Sequence, residues 1–264
     1  MRNDMKTRVT IIALGALLVV AGCSREDQNP EPKTVRLSAR VESDATRSTV
    51  DGTTGAWAWD TGDQIAVHSD NAFISKELSS DGSFTLTAAQ NAARNGYAVY
   101  PASVKLDAYT GIGSAALKVN LPASYAVTAS TSVRTPLPMV ALNDAGSDFL
   151  FFRHVGALVR IEGLAFPSGT TSATVTFNKG VHGVFEVTTG SAPTIFNTTA
   201  EGGNNSVTFT FSGTPLPTTL NIPVPCGTYQ GVTVTGNTGG YSVEIDGLFS
   251  LERHQGTKLS APEP

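Results

Sequence analysis

Apolar and polar side chains alternate with a period of two along most of the chain. Val35, Leu37, Ala39 and Val41 are interleaved with Thr34, Arg36, Ser38 and Arg40, the pattern of a strand with one buried face. The pattern recurs at Phe84 and Leu86, at Leu117, Val119 and Leu121, at Val175 and Phe177, and at Val184, Phe185 and Val187. It continues at Val207, Phe209 and Phe211, at Val232 and Val234, and at Tyr241, Val243 and Ile245. Thr fills many intervening positions, as a β-branched polar residue does on the wet face of a sheet. Helical spacing is nearly absent, and Ala88 to Arg94 predicts one short helical turn at most. Gly, Asn, Asp and Pro separate the runs at intervals of roughly eight to fifteen residues, which predicts antiparallel sandwiches rather than parallel βαβ units. Asp246-Gly247 reads as a hairpin turn.

The strand-bearing part exceeds one ordinary sandwich of about 100 residues. Two sandwich domains in tandem are therefore predicted, residues 34–155 and 156–264. The seam is placed at Phe152 to Gly156, after a loop-rich stretch from Pro136 to Asp148 and before a fresh strand at Ala157-Leu158-Val159-Arg160-Ile161.

The N-terminus has a different character. Arg2, Lys6 and Arg8 precede an apolar run from Val9 to Ala21. That run is shorter than the roughly 20 residues of a spanning helix and fits the hydrophobic part of a signal peptide. It ends Ala21-Gly22-Cys23-Ser24, small residues directly before a cysteine, which resembles the lipobox of bacterial lipoproteins. The resemblance implies a signal peptide over 1–22, lipid on Cys23, and a tether over 23–33 in which Pro30 and Pro32 stiffen the chain. The other reading is an ordinary secretory signal with an incidental cysteine.

Composition narrows the function. Charged residues make up 15% of the 264 residues, with a net charge of -4, against about 25% charged in an average soluble chain. No block of Lys and Arg marks a nucleic-acid footprint. Two cysteines cannot build a disulfide scaffold, and Cys226 reads as a small buried hydrophobe. His68, His154, His182 and His254 lack metal-ligand spacing. No nucleophile elbow, zinc-protease helix or phosphate loop occurs. The expectation is a non-enzymatic protein with no catalytic residue, no metal and no cofactor. Two features stay open. Asp60 and Asp63 suit either a turn or a cation or acid–base site. Trp57 and Trp59 lie on one strand face, as a sugar-stacking platform or as core anchors.

Four ordered segments carry a family resemblance. They are Thr46-Arg47-Ser48-Thr49 with Trp57-Ala58-Trp59-Asp60-Thr61-Gly62-Asp63-Gln64-Ile65; Phe152-Arg153-His154-Val155-Gly156 through Ile161; Ile222-Pro223-Val224-Pro225-Cys226-Gly227-Thr228-Tyr229; and Leu251-Glu252-Arg253-His254 through Leu259. Together they resemble the Bacteroidetes fimbrillin family. The resemblance implies two transthyretin-like β-sandwich domains in a subunit of a lipoprotein-derived pilus. It implies transport to the outer membrane through the lipid on Cys23, and then a cut by a trypsin-like protease after an arginine beyond the first strand. Loss of that strand opens a groove that a neighbouring subunit's strand fills. Partners implied are other pilus subunits by β-strand addition and, for an adhesive subunit, a host protein or glycan. Arg47, in the polar segment Ser43 to Ser48, is the expected cleavage site because such segments are exposed; Arg40 lies inside the strand. Only Ser260-Ala261-Pro262-Glu263-Pro264 follow the closing strand. A chain that accepts a strand without giving one suits a pilus tip; an uncleaved anchor, a monomeric surface lipoprotein, or donation by Leu248 to Ser260 are the alternatives.

Overall fold

The computed structural model describes residues 33–42, 59–105, 117–128, 136–144, 146–188, 191–196 and 204–262. Strands dominate. In chain order they are β1 (Thr34–Val41), β2 (Gln64–Ser69), β3 (Ala72–Glu77), β4 (Ser83–Thr87), β5 (Arg94–Tyr100), β6 (Leu117–Leu121), β7 (Ser124–Thr128), β8 (Met139–Leu142) and β9 (Phe149–His154). There follow β10 (Ala157–Glu162), β11 (Ser172–Phe177), β12 (Gly183–Val187), β13 (Ser206–Ser212), β14 (Thr219–Val224), β15 (Gly227–Gly236), β16 (Ser242–Leu251) and β17 (Gly256–Ser260). The predicted helical turn is α1 (Ala88–Ala92), set by a capping box in which Thr87 Oγ1 accepts from the Gln90 amide and Gln90 Oε1 from the Thr87 amide, both at 3.1 Å.

A seven-stranded sheet, ordered β3-β2-β5-β8-β9-β1-β4, occupies the first half. Its central strands are apolar on both faces, which explains why they do not alternate in the sequence. Ile65, Val67, Ala98, Tyr100, Met139, Ala141, Leu150 and Phe152 enter one core together with Leu37 and Ala39 of β1. Their sequence neighbours Ala66, Tyr97, Val99 and Val140 enter a second core on the opposite face. The stretch Pro136 to Asp148, expected as a loop, contains β8. Its prolines and Asn143-Asp144 have loop composition, yet Met139, Val140 and Ala141 between them are fully buried.

The second half pairs a three-stranded sheet, β14-β10-β17, with a five-stranded one, β16-β15-β11-β13-β7, around a third core that includes Val159, Ile161, Val175, Phe177, Phe209, Ile222 and Tyr229. Two strands cross the expected seam at 155/156: β6 pairs with β12, and β7 runs beside β13. The second core correspondingly joins Leu117, Val119 and Leu121 to Phe185, Val187 and Ile195. Residues 34–264 form one compact unit.

Most ladders are antiparallel, as expected, but β1–β9, β10–β17 and β7–β13 are parallel. Parallel neighbours need long connections, and each of these pairs joins strands far apart in the chain. Asp246-Gly247 is not a hairpin turn. It lies within β16, beside a bulge in the ladder between Gln230 and Val232. The hairpin turns instead at Asn237 to Gly240, closed by the Gly236 amide donating to the Tyr241 carbonyl at 2.9 Å, with φ of 67° and 66° at Gly239 and Gly240.

Candidate strand-exchange site

The first strand is a bridge inside its sheet. β1 runs antiparallel to β4 from Thr34↔Thr87 to Ser38↔Ser83 and parallel to β9 from Ser38↔Phe149 to Val41↔Phe152. Leu37 and Ala39 point into the core, each 4% exposed, and Val35 and Val41 pack at its margin. The outward face is polar. Arg36 donates to Asp81 and to Ser83 Oγ, both at 2.9 Å, and the Arg40 guanidinium lies 4.4 Å from the centroid of the Phe149 ring. Hydrogen bonds from Ser83 and the neighbouring Arg36 cation hold the Asp81 carboxyl below the usual carboxylate range.

Where the β4 ladder ends, the Ala39 peptide is gripped from two other sides. Its amide donates to the Gly82 carbonyl at 2.8 Å, and its carbonyl accepts from the Trp59 indole Nε1 at 3.0 Å. The approach requires glycine at 82. Its φ is +76°, and a Cβ there would lie 2.6 Å from the Ala39 oxygen and 2.7 Å from the Trp59 ring. Trp59 is 8% exposed, with Tyr100 and Phe152 edge-on at ring centroids of 5.2 and 5.8 Å. Of the two readings of this residue, the geometry is that of a core anchor: a buried ring with aromatic edges against it has no open face for a sugar.

A charged latch closes the end of the strand. The Glu42 amide donates to the Phe152 carbonyl at 2.9 Å. Its carboxylate Oε1 accepts from the His154 amide at 2.8 Å and from Arg253 Nη1 at 2.5 Å. Arg253 Nη1 also donates to the His154 carbonyl at 3.2 Å. The two charged side chains are only 10% and 15% exposed. Arg253 is carried by the turn between β16 and β17. That turn is fixed by the Gln255 amide on the Glu252 carbonyl at 3.1 Å and by the His254 amide on the Gly156 carbonyl at 2.9 Å.

Burial pushes the His154 imidazole down to about 4; the Glu42 carboxylate opposes this, while His254 and Arg253 reinforce it. Between that value and the ordinary 6.5 the unfolded chain binds the extra proton. Folding stability therefore falls as the pH is lowered from 6.5 towards 4. The full loss is about 3 kcal/mol by linkage. Urea unfolding from pH 7 to pH 4 should show this slope, and His154→Asn should flatten it.

The remaining sequence-predicted residues fall as follows. Cys23, Arg47 and Trp57 lie outside the described residues. Asp60 and Asp63 form a turn: the Asp63 amide donates to the Asp60 carbonyl at 3.0 Å, and the Asp60 amide to Asp63 Oδ2 at 2.9 Å. The other Asp63 oxygen accepts from the Tyr100 hydroxyl at 3.0 Å. Cys226 is buried, its thiol pushed up to about 11 by desolvation. Among the described residues no cluster of three or more His, Cys, Asp or Glu side chains is placed to hold a metal ion. The Glu42–Arg253 pairing escapes sequence reasoning, because its members are 211 residues apart and neither stands in a charge motif.

No protein-family model matches the chain, and no curated protein matches it. Solved structures do. A "putative cell adhesion protein" from Bacteroides ovatus superimposes with a TM-score of 0.52 at 13% identity, covering 86% of this chain and 91% of that one. A second "putative cell adhesion protein", from Bacteroides thetaiotaomicron, gives 0.42 at 14% identity over 86% and 92% of the two chains. A fimbrial protein from Bacteroides ovatus gives 0.38 at 12% identity over 85% of this chain and 48% of that one. The first of these carries the comparison: this chain shares the all-β sandwich fold of a Bacteroides protein described by its role in cell adhesion.

Proposed function

We propose that this chain is a non-enzymatic structural and adhesive subunit of a cell-surface pilus, brought to the outer membrane by a lipid on Cys23 and released from that lipid by cleavage. A protease of trypsin-like specificity cuts after Arg47, β1 leaves, and a strand from another subunit takes its place. The observation that carries this is the position of β1. It is the link between β4 and β9, so its departure leaves two facing rows of unpaired backbone groups and the pockets of Leu37 and Ala39. Such an edge is a template for another strand. The segment that contains Arg47 follows directly on β1 and Glu42. The ordered fimbrillin-like segments and the shared fold with a cell adhesion protein support the same reading.

The pairing of β17 supports a reading of the position within the pilus. That strand is paired with β10 in its own sheet, from Leu158↔Gly256 to Glu162↔Ser260, and Glu162 of β10 pairs with Lys258 across the ladder and with Arg160 on its own strand. This favours an accepting role, such as that of a tip subunit, over donation by Leu248 to Ser260.

The test is made in cells. The wild-type chain should be recovered from sheared surface material in high-mass assemblies and begin at Ser48. Arg47→Ala should remain at the mass of a single uncleaved chain. Assembly of Arg47→Ala at the wild-type level would reject the cleavage step.

A further inference from the structure

The latch at the end of β1 bears on which strand can replace it, and the argument rests on the strand-exchange reading above. Glu42 precedes Arg47, so it departs with β1. Arg253 stays behind. Its side chain is 15% exposed with β1 in place, and its turn is pinned to Gly156 and to Leu158, whose amide donates to the Gln255 carbonyl at 2.9 Å. The carboxylate beside it in sequence, Glu252, is turned towards Gln255, whose Nε2 donates to it at 3.3 Å. The imidazole of His154 is kept neutral by burial and offers no negative charge. A buried cation that has lost its partner is strongly unfavourable.

We propose that Arg253 selects the occupant of the β1 groove by its charge: the strand that fills it, β1 or a replacement, must carry a carboxylate at the register position of Glu42. The partner is thus an extended segment, apolar at the positions of Leu37 and Ala39 and acidic three residues beyond the latter. The backbone ladders with β4 and β9 accept any sequence. The Arg253 contact adds the discrimination, because an incoming neutral strand leaves the buried guanidinium without a counter-charge.

Two measurements test this, both with residues 24–264, which contain the whole compact unit. The first is made on the uncleaved chain, by amide hydrogen exchange of β1. Glu42→Gln should speed exchange at residues 37–41 at least tenfold; in an Arg253→Gln background the same change should matter less than threefold. Equal acceleration in both backgrounds would overturn the proposal. The second uses chain cut after Arg47 and freed of β1, titrated with a fluorescent peptide of residues 34–46. The Glu42→Gln peptide should bind at least tenfold more weakly than the wild-type peptide. Equal affinity of the two peptides would overturn the proposal while leaving strand exchange standing. Binding of neither peptide would reject strand exchange itself, and the proposal with it.

Discussion

A chain that begins at Ser48 and therefore lacks β1 should not persist as a stable monomer. Light scattering after size exclusion should show association that grows with concentration. An equimolar peptide of residues 34–46 should return it to a 1:1 complex of monomer mass. The physical reason is the number of separate interactions that β1 contributes. Burial of Leu37, 4% exposed, contributes roughly 2 kcal/mol. The Trp59 indole would lose its acceptor on Ala39, and a buried donor left unpaired costs about 1–3 kcal/mol. The Glu42–Arg253 pair is broken from one side, which costs about 3–5 kcal/mol for a buried pair. To these are added the ladder bonds on both edges of the strand. The sum is comparable with the roughly 5–15 kcal/mol that holds a typical domain folded. β4 is joined to its sheet through β1, so it is left without a strand partner and offers its edge to another chain. A truncated chain that stays monomeric, with a urea midpoint near that of residues 24–264, would show that β1 is dispensable.

The second large effect concerns Cys23. Replacing it with alanine in the uncleaved Arg47→Ala chain should move that chain from the membrane fraction to the soluble fraction and abolish incorporation of labelled palmitate. Each buried methylene of an acyl chain contributes about 0.8 kcal/mol to membrane partition, and two or more chains give stable anchoring where one does not. Loss of the attachment cysteine removes all of it in one step. The other cysteine cannot substitute. Cys226 is buried in the fold, and its thiol is pushed up to about 11. A Cys23→Ala protein that still sediments with membranes and takes up palmitate would contradict lipidation at this residue.

How much was legible in advance depended on how each strand is buried. Strands with one wet face, such as β1, β6, β11 and β13, alternate cleanly and are visible from sequence. β2, β5 and β8 send alternate residues into two different cores, so the runs Ile65 to Val67, Tyr97 to Tyr100 and Met139 to Ala141 are apolar throughout and the period vanishes. β8 was further disguised by prolines at 136 and 138. Trp59 was legible as an aromatic on a strand face, but its role as a clamp on the Ala39 carbonyl depends on the φ of +76° at Gly82, which no local pattern announces. Asp246-Gly247 misled because the dipeptide that favours a hairpin turn also suits the twist beside a bulge. The Glu42–Arg253 latch was invisible, since a long-range ion pair leaves no periodic signal in either segment.

The central claim is that β1 can be cut free and replaced. Limited digestion of residues 24–264 with a trypsin-like protease tests it most directly, with mass spectrometry to locate the cut and size exclusion to follow assembly. The account predicts one early cut, after Arg47, release of the segment that bears β1, and a remainder that binds an added strand or associates. Resistance at Arg47, or a cut there after which β1 stays bound and the remainder neither associates nor accepts a strand, would contradict it.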